Sequence, residues 1–189
     1  YTAPFSNDED NPFLGDYDGA GYEISNLNII PDEYSWLGIG FLSNCKNSIL
    51  RNMNFKNCSV DGTNVTGSVG VLAGKISQVS LPNSLIRPIL IENCFLEDCT
   101  ITTKTNLGAG IAVGQFSAIA ENSPNPINGL VIKSSIINAL SGRFIGGAIG
   151  SFSVDQGFED TTMYLNKIYA ETTFNLTTGQ SYRLLGGLF

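Results

Sequence analysis

Four stretches of this chain repeat one short spacing of apolar and polar residues. They are Ile24-x-Asn26-Leu27-x-Ile29, Leu50-x-Asn52-Met53-x-Phe55, Ile91-x-Asn93-Cys94-x-Leu96 and Ile132-x-Ser134-Ser135-x-Ile137, at steps of 26, 41 and 41 residues. A glycine-bounded motif follows in the same order: Gly70-Val71-Leu72-Ala73-Gly74, Gly110-Ile111-Ala112-Val113-Gly114, Gly146-Gly147-Ala148-Ile149-Gly150, and finally Leu185-Gly186-Gly187-Leu188-Phe189. Self-similarity at such a period marks a repeat array, in which a unit buries its apolar face only by stacking on its neighbours. Most apolar and Asn positions are then structural, and function is sought on surfaces.

Helical periodicity is missing, and apolar residues alternate in short bursts instead. Phe55-x-x-Cys58-x-Val60 and Leu96-x-x-Cys99-x-Ile101 each read as a strand end, a polar corner (Lys56-Asn57 and Glu97-Asp98) and a second strand. A third strand ends in the glycine motif. Pro82, Pro88, Pro124 and Pro126 fall in the connectors, where they interrupt no ladder. Three short strands per repeat predict an all-β, parallel β-solenoid of about five coils. It forms one domain over 1–189, with 1–22 as an N-terminal cap or first turn and 23–189 as stacked repeats, read as part of a longer chain. Two shorter coils per 41-residue step remain the alternative. Asn26, Asn52 and Asn93 are expected at one corner as a side-chain amide ladder. The motif glycines are expected to give positive-φ corners and close coil contact.

The charge of −7 with ten Lys and Arg argues against nucleic-acid binding. No apolar stretch approaches a membrane span. Asn57-Cys58-Ser59, Asn64-Val65-Thr66 and Asn175-Leu176-Thr177 fit the N-glycosylation pattern, and four cysteines lack paired zinc-ligand spacing. Together they place the chain outside the cell or on its surface.

The segment Asp18-Gly19-x-Gly21-Tyr22-x-Ile24-x-Asn26-Leu27-x-Ile29 resembles the opening of GLUG-motif proteins. Gly70–Gly74 and the terminal Gly-Gly-Leu-Phe resemble the motif itself. The resemblance runs from about Phe13 to Phe189 and departs in the long connectors, the cysteines and Ser135. It implies a secreted or surface-exposed repeat protein folded as a right-handed parallel β-helix.

Cys58 and Cys99 align across the 41-residue step. One coil per step puts them about 4.8 Å apart, within the Cα range of a disulfide; otherwise all four cysteines are buried thiols. Asp8-Glu9-Asp10, Asp16 and Asp18 carry oxygen ligands suited to calcium, though Asp-Gly is also an ordinary turn. The chain has no His, which excludes His-dependent catalysis and His metal ligands. Glu92, Glu97 and Asp98 are the carboxylates available for glycoside chemistry, but Lys56-Asn57 replaces Glu97-Asp98 one repeat earlier. Thr100, Thr102, Thr103 and Thr105 suggest an ice-binding face, yet the expected neighbours Ser59, Asp61, Gly62, Asn64, Ser141 and Arg143 are irregular. Phe13, Tyr17, Tyr22, Tyr34 and Trp36 read as a cap or a sugar-stacking surface. The expected function is a rigid, glycosylated extracellular rod or filament subunit that self-associates by coil stacking, with no catalytic residue, cofactor or metal. An adhesin-type carbohydrate- or surface-binding module is the alternative, and a polysaccharide-degrading enzyme a more distant one.

Overall fold

The computed structural model describes residues 11–31, 38–79, 87–119, 125–155, 164–178, 180 and 184–186. Among them there is no helix, and every strand pairing is parallel. The strands fall into five successive groups. The first holds β1 (Asp16–Asp18), β2 (Glu23–Ser25), β3 (Asn28–Ile29) and β4 (Leu42–Lys46). The second holds β5 (Ile49–Arg51), β6 (Asn54–Lys56), β7 (Ser59–Gly62) and β8 (Ala73–Ser77). In the third are β9 (Leu90–Glu97), β10 (Thr100–Thr103), β11 (Ala109–Gly110) and β12 (Val113–Ile119). The fourth has β13 (Ile127–Ala139), β14 (Phe144–Gly146) and β15 (Ile149–Asp155), and the last β16 (Leu165–Leu176) and β17 (Leu184–Gly186).

Each group pairs with the next at equivalent positions, giving three sheets of ten, three and four strands. Side-chain rows run across the groups. Leu50, Ile91, Ile127 and Leu165 form one apolar row. Ile24, Phe55, Leu96, Ile132 and Ala170 form a second. Ile29, Val60, Ile101, Ile137 and Phe174 form a third. In the three middle groups these side chains are 2% exposed or less. At full burial a side chain of this size contributes roughly 1.5–3 kcal/mol, so the rows are the main source of cohesion between groups.

The register departs from the expected one at both ends. Ile24, expected to stack on Leu50, pairs with Phe55, and Ile132, expected to stack on Ile91, pairs with Leu96. The 41-residue step holds only between the second and third groups; Ile101 to Ile137 is 36 residues. The physical reason is that the second, third and fourth groups carry the same five-residue unit twice. Leu50-x-Asn52-Met53-x is followed by Phe55-x-Asn57-Cys58-x and then Val60, so both units present an inward side chain at the same spacing. Ile24 and Ile132 open the second unit, not the first. Cys58 and Cys99 immediately precede the paired strands β7 and β10, with Thr100 N–H donating to Cys58 C=O at 2.9 Å, so the 41-residue step between them contains one layer and not two.

The motif glycines close the core by contact rather than by φ. None of Gly70, Gly74, Gly110, Gly114, Gly146 or Gly150 has positive φ. A Cβ on Gly114 would lie 2.3 Å from Val69 N and 2.7 Å from Gly74 O, both backbone. The expectation that the motif glycines make the corners is therefore corrected: positive-φ bends are made mostly by Asn, with Asp98, Ser134, Lys167, Ala20 and glycines outside the motif (Gly21, Gly129 and Gly142).

Candidate functional site

Two bends per group place the polar side chains. At the first bend, Asn52 (φ 52), Asn93 (φ 49), Gly129 (φ 85) and Lys167 (φ 52) share one row. At the second, Asn26 (φ 57), Asn57 (φ 51), Asp98 (φ 53) and Ser134 (φ 47) share another. Asn and Asp reach the left-handed region at the least cost among side-chain-bearing residues, which is why they recur there. The expected ladder of Asn26, Asn52 and Asn93 is thus corrected: Asn26 stacks on Asn57, whose Nδ2 donates to Asn26 Oδ1 at 2.7 Å. Asn52 Nδ2 donates to Asp18 Oδ1 at 2.9 Å. Among the described residues no hydrogen bond joins Asn52 to Asn93, so the bend geometry, not an unbroken amide ladder, unites that row.

The four cysteines are free thiols, all buried. Cys58 and Cys99 are neighbours in a row that continues as Leu27 on one side and Ser135 on the other. The juxtaposition expected from the sequence is present and the bond is not. Cys58 Sγ donates to Lys56 C=O at 3.4 Å and Cys99 Sγ to Glu97 C=O at 3.4 Å, while Ser135 Oγ makes the same bond to Lys133 C=O at 2.9 Å. The thiol of Cys99 beside it makes Cys58 the more acidic of the two, and that same contact, with burial, pushes Cys99 upward. Burial alone raises Cys45 to about 12, and burial is also the main reason Cys94 rises to about 11. Cys94 lies between Met53 and Leu130, and Cys45 between Phe13 and Ile76, so neither faces another thiol.

Charges are paired along the outer surface. Lys56 Nζ meets Glu97 Oε2 at 2.8 Å, and Lys133 Nζ lies 5.5 Å from the Phe95 ring centre. The Lys56 hydrogen bond holds the Glu97 carboxyl below its ordinary range. A glycosidase acid needs the opposite shift. Arg51 approaches Asp16 at 3.9 Å and Asp18 at 3.8 Å, and Arg87 reaches Asp16 at 3.6 Å. Guanidinium groups therefore occupy the carboxylates considered for calcium, and among the described residues no cluster of three potential ligands forms. Asp8-Glu9-Asp10, Tyr34 and Trp36 lie outside the described residues.

The Thr face also has different neighbours from those expected. Thr100 and Thr102 pair with Ser59 and Asp61 on one side, but with Ile136 and Asn138 on the other, not Ser141 and Arg143. The 36-residue step explains the change. Two open clefts flank the layers. One of about 450 Å³ is lined by Thr63, Val65, Lys104, Thr105 and Leu107. The other, about 340 Å³, lies at the first group between Tyr17, Asp18, Tyr22, Ile24 and Met53, with Tyr22 79% exposed. Of the sequon asparagines, Asn64 is exposed in a turn that Asp61 closes by accepting from Thr63 N–H at 2.9 Å. Asn57 and Asn175 are also exposed, but their amides donate to Asn26 and to Asn138 (2.9 Å) respectively.

No protein-family model matches this chain, no curated protein is similar to it, and no solved structure is similar to it.

Proposed function

We propose that this chain is a right-handed β-solenoid segment of an extracellular structural protein, working as a rod or filament subunit and not as an enzyme. One observation supports the reading most: strand edges are satisfied in the middle of the stack and open at its ends. Apart from β15, and from β11, which meets the second group only through the Val69–Ala109 bridge, strands of the second to fourth groups pair on both sides. By contrast β1, β2, β3, β4 (its Phe13–Cys45 bridge aside), β16 and β17 pair on one side only among the described residues. At the same ends the core rows are half covered, at Tyr17, Ile24 and Leu27 on one side and Leu165, Ile168, Ala170 and Phe174 on the other. An unpaired parallel edge with half-buried apolar side chains takes another layer of the same kind. The GLUG resemblance agrees with such an architecture, and glycans on the outer turns would keep the rod dispersed.

Electron microscopy of the native protein over a concentration series tests this. Filaments or end-to-end rods with an axial repeat that is a small multiple of about 4.8 Å support it. Particles that stay one chain long at every concentration would refute filament assembly by this segment. A second reading, a carbohydrate- or surface-binding module of adhesin type, draws on the 450 Å³ cleft between the 63–66 and 104–107 loops. Glycan-array binding abolished by Leu107→Ala, with assembly unchanged, would favour it.

A further inference from the structure

The sulfur pair lies in an otherwise regular ladder, and the ladder itself defines its chemistry. Cys58 and Cys99 occupy equivalent positions immediately before β7 and β10, which pair in parallel from Ser59 with Thr100 onward. Their Cα spacing therefore follows the roughly 4.8 Å between parallel strands, inside the range a disulfide spans. Neither Cys45 nor Cys94 has another thiol beside it in its row: Cys45 stands between Phe13 and Ile76, and Cys94 between Leu130 and the thioether of Met53, which cannot form a disulfide. We propose that Cys58 and Cys99 form a thiol–disulfide site that peroxide oxidises selectively, covalently stapling the second layer to the third.

The step balances as follows. The Cys58 thiolate attacks one oxygen of hydrogen peroxide; an S–O bond forms, the O–O bond breaks, and hydroxide leaves and is protonated. The Cys99 sulfur then attacks Cys58; the S–S bond forms, the S–O bond breaks, and the Cys99 proton departs with the leaving oxygen as water. Two thiols are oxidised and one peroxide is reduced to two waters. Cys58 is the attacking sulfur for two reasons. It is the more acidic thiol, because the Cys99 thiol stands beside it. It also lies one layer from the open end, beneath half-buried Leu27, whereas Cys99 is enclosed on both sides. Thiolate character and access together select the oxidised cysteine. Fraying of the first layer would admit peroxide to Cys58; Cys45, in β4 of that same layer, is held protonated by burial, which raises it to about 12, and has no thiol partner.

Serine can stand in this row, as Ser135 does with the same hydrogen bond to the carbonyl two residues back. Cys58→Ser and Cys99→Ser therefore keep the local bonding. The test is exposure of the native protein to hydrogen peroxide, followed by alkylation in denaturant and a non-reducing peptide map. The expected result is a Cys58–Cys99 cross-linked peptide lighter by two hydrogens, with Cys45 and Cys94 alkylated. In Cys99→Ser, Cys58 should stop as a sulfenic acid that dimedone traps, and in Cys58→Ser, Cys99 should stay reduced. Oxidation of Cys45 or Cys94 at the same rate, or Cys58 recovered as a free thiol, overturns the proposal. The wild-type map is decisive even if a variant fails to fold.

Discussion

The first bend of each layer can be tested for what it asks of its residue. Asn93 is exposed, its φ is 49°, and its row holds Gly129 at φ 85 and Lys167 at φ 52. An L-residue in the left-handed region costs roughly 1–2 kcal/mol, with Asn among those that reach it more readily. Asn93→Ala should pay most of that difference, about 1 kcal/mol. Asn93→Gly avoids the steric cost but adds back about 0.4–1 kcal/mol of unfolded-chain entropy, so it should fall within about 0.5 kcal/mol of wild type. The two variants should then differ by about 1 kcal/mol, or about 2–4 °C in Tm for a chain of this size. The reciprocal change, Lys167→Gly, should be neutral or stabilising, since Lys has no special tolerance of this conformation. Thermal unfolding followed by circular dichroism reads all three. If amide hydrogen bonding rather than conformation were the requirement, Gly and Ala at 93 would lose the same bond, worth about 1 kcal/mol. Equal melting temperatures for Asn93→Gly and Asn93→Ala, or a lower one for Gly, would refute the conformational argument.

Gly114→Ala should be more damaging than either, because its Cβ would meet the Val69 and Gly74 backbones, which no rotamer change can relieve. Overpacking of this kind costs about 1–3 kcal/mol or more, and loss of soluble protein or a fall of several degrees in Tm checks it. Glu97 has a folded-state pKa lowered chiefly by the Lys56 hydrogen bond, so its contribution is present above the ordinary carboxylate pKa and disappears as pH falls through the lowered value. Between about pH 5 and pH 3, wild type should therefore lose slightly more Tm than Glu97→Gln, and identical pH profiles would remove this pair from the account. In a secretory eukaryotic host, glycosylation is expected at Asn64 and not at Asn57, whose amide donates to Asn26 at a left-handed bend. Peptide mass spectrometry after glycosidase treatment decides it, and occupancy of Asn57 alone would contradict the reading.

Why the layered parallel arrangement was legible, and its register was not, follows from the five-residue unit. Inward apolar residues must recur wherever the backbone bends back to the core, so Leu50, Phe55 and Val60 announce strands and corners without any tertiary information. The same regularity makes Leu50 and Phe55 interchangeable to a reader of spacing, since both open an identical apolar–Asn–apolar unit. Only stacking distinguishes them, because Ile24 meets Phe55 once β1 has already occupied the place opposite Leu50. Where connector lengths stayed equal, as between the second and third layers, the cysteine alignment came out correctly; where the step shortened to 36, the Thr face acquired Ile136 and Asn138 as neighbours.

The glycines show the complementary limit. A glycine bounded by small residues signals that something must approach closely, but sequence alone does not say whether the demand is conformational or steric. Here the two demands are separated in space. Bends lie at the exposed or half-buried outer surface and are met by Asn, Asp98, Ser134, Gly129 and Lys167, whereas the enclosed glycine motif meets opposing backbone at distances no Cβ tolerates. That division has a functional consequence. Bend residues can vary between layers at modest cost, so Lys56, Glu97 and Lys133 can alternate in sign beside them, with Lys56 and Glu97 paired across two layers. The steric positions cannot vary. A surface free to differ from layer to layer over an interior that cannot is what lets one repeat unit be stacked repeatedly while each layer's outer residues, and the single cysteine pair between two of them, remain distinct.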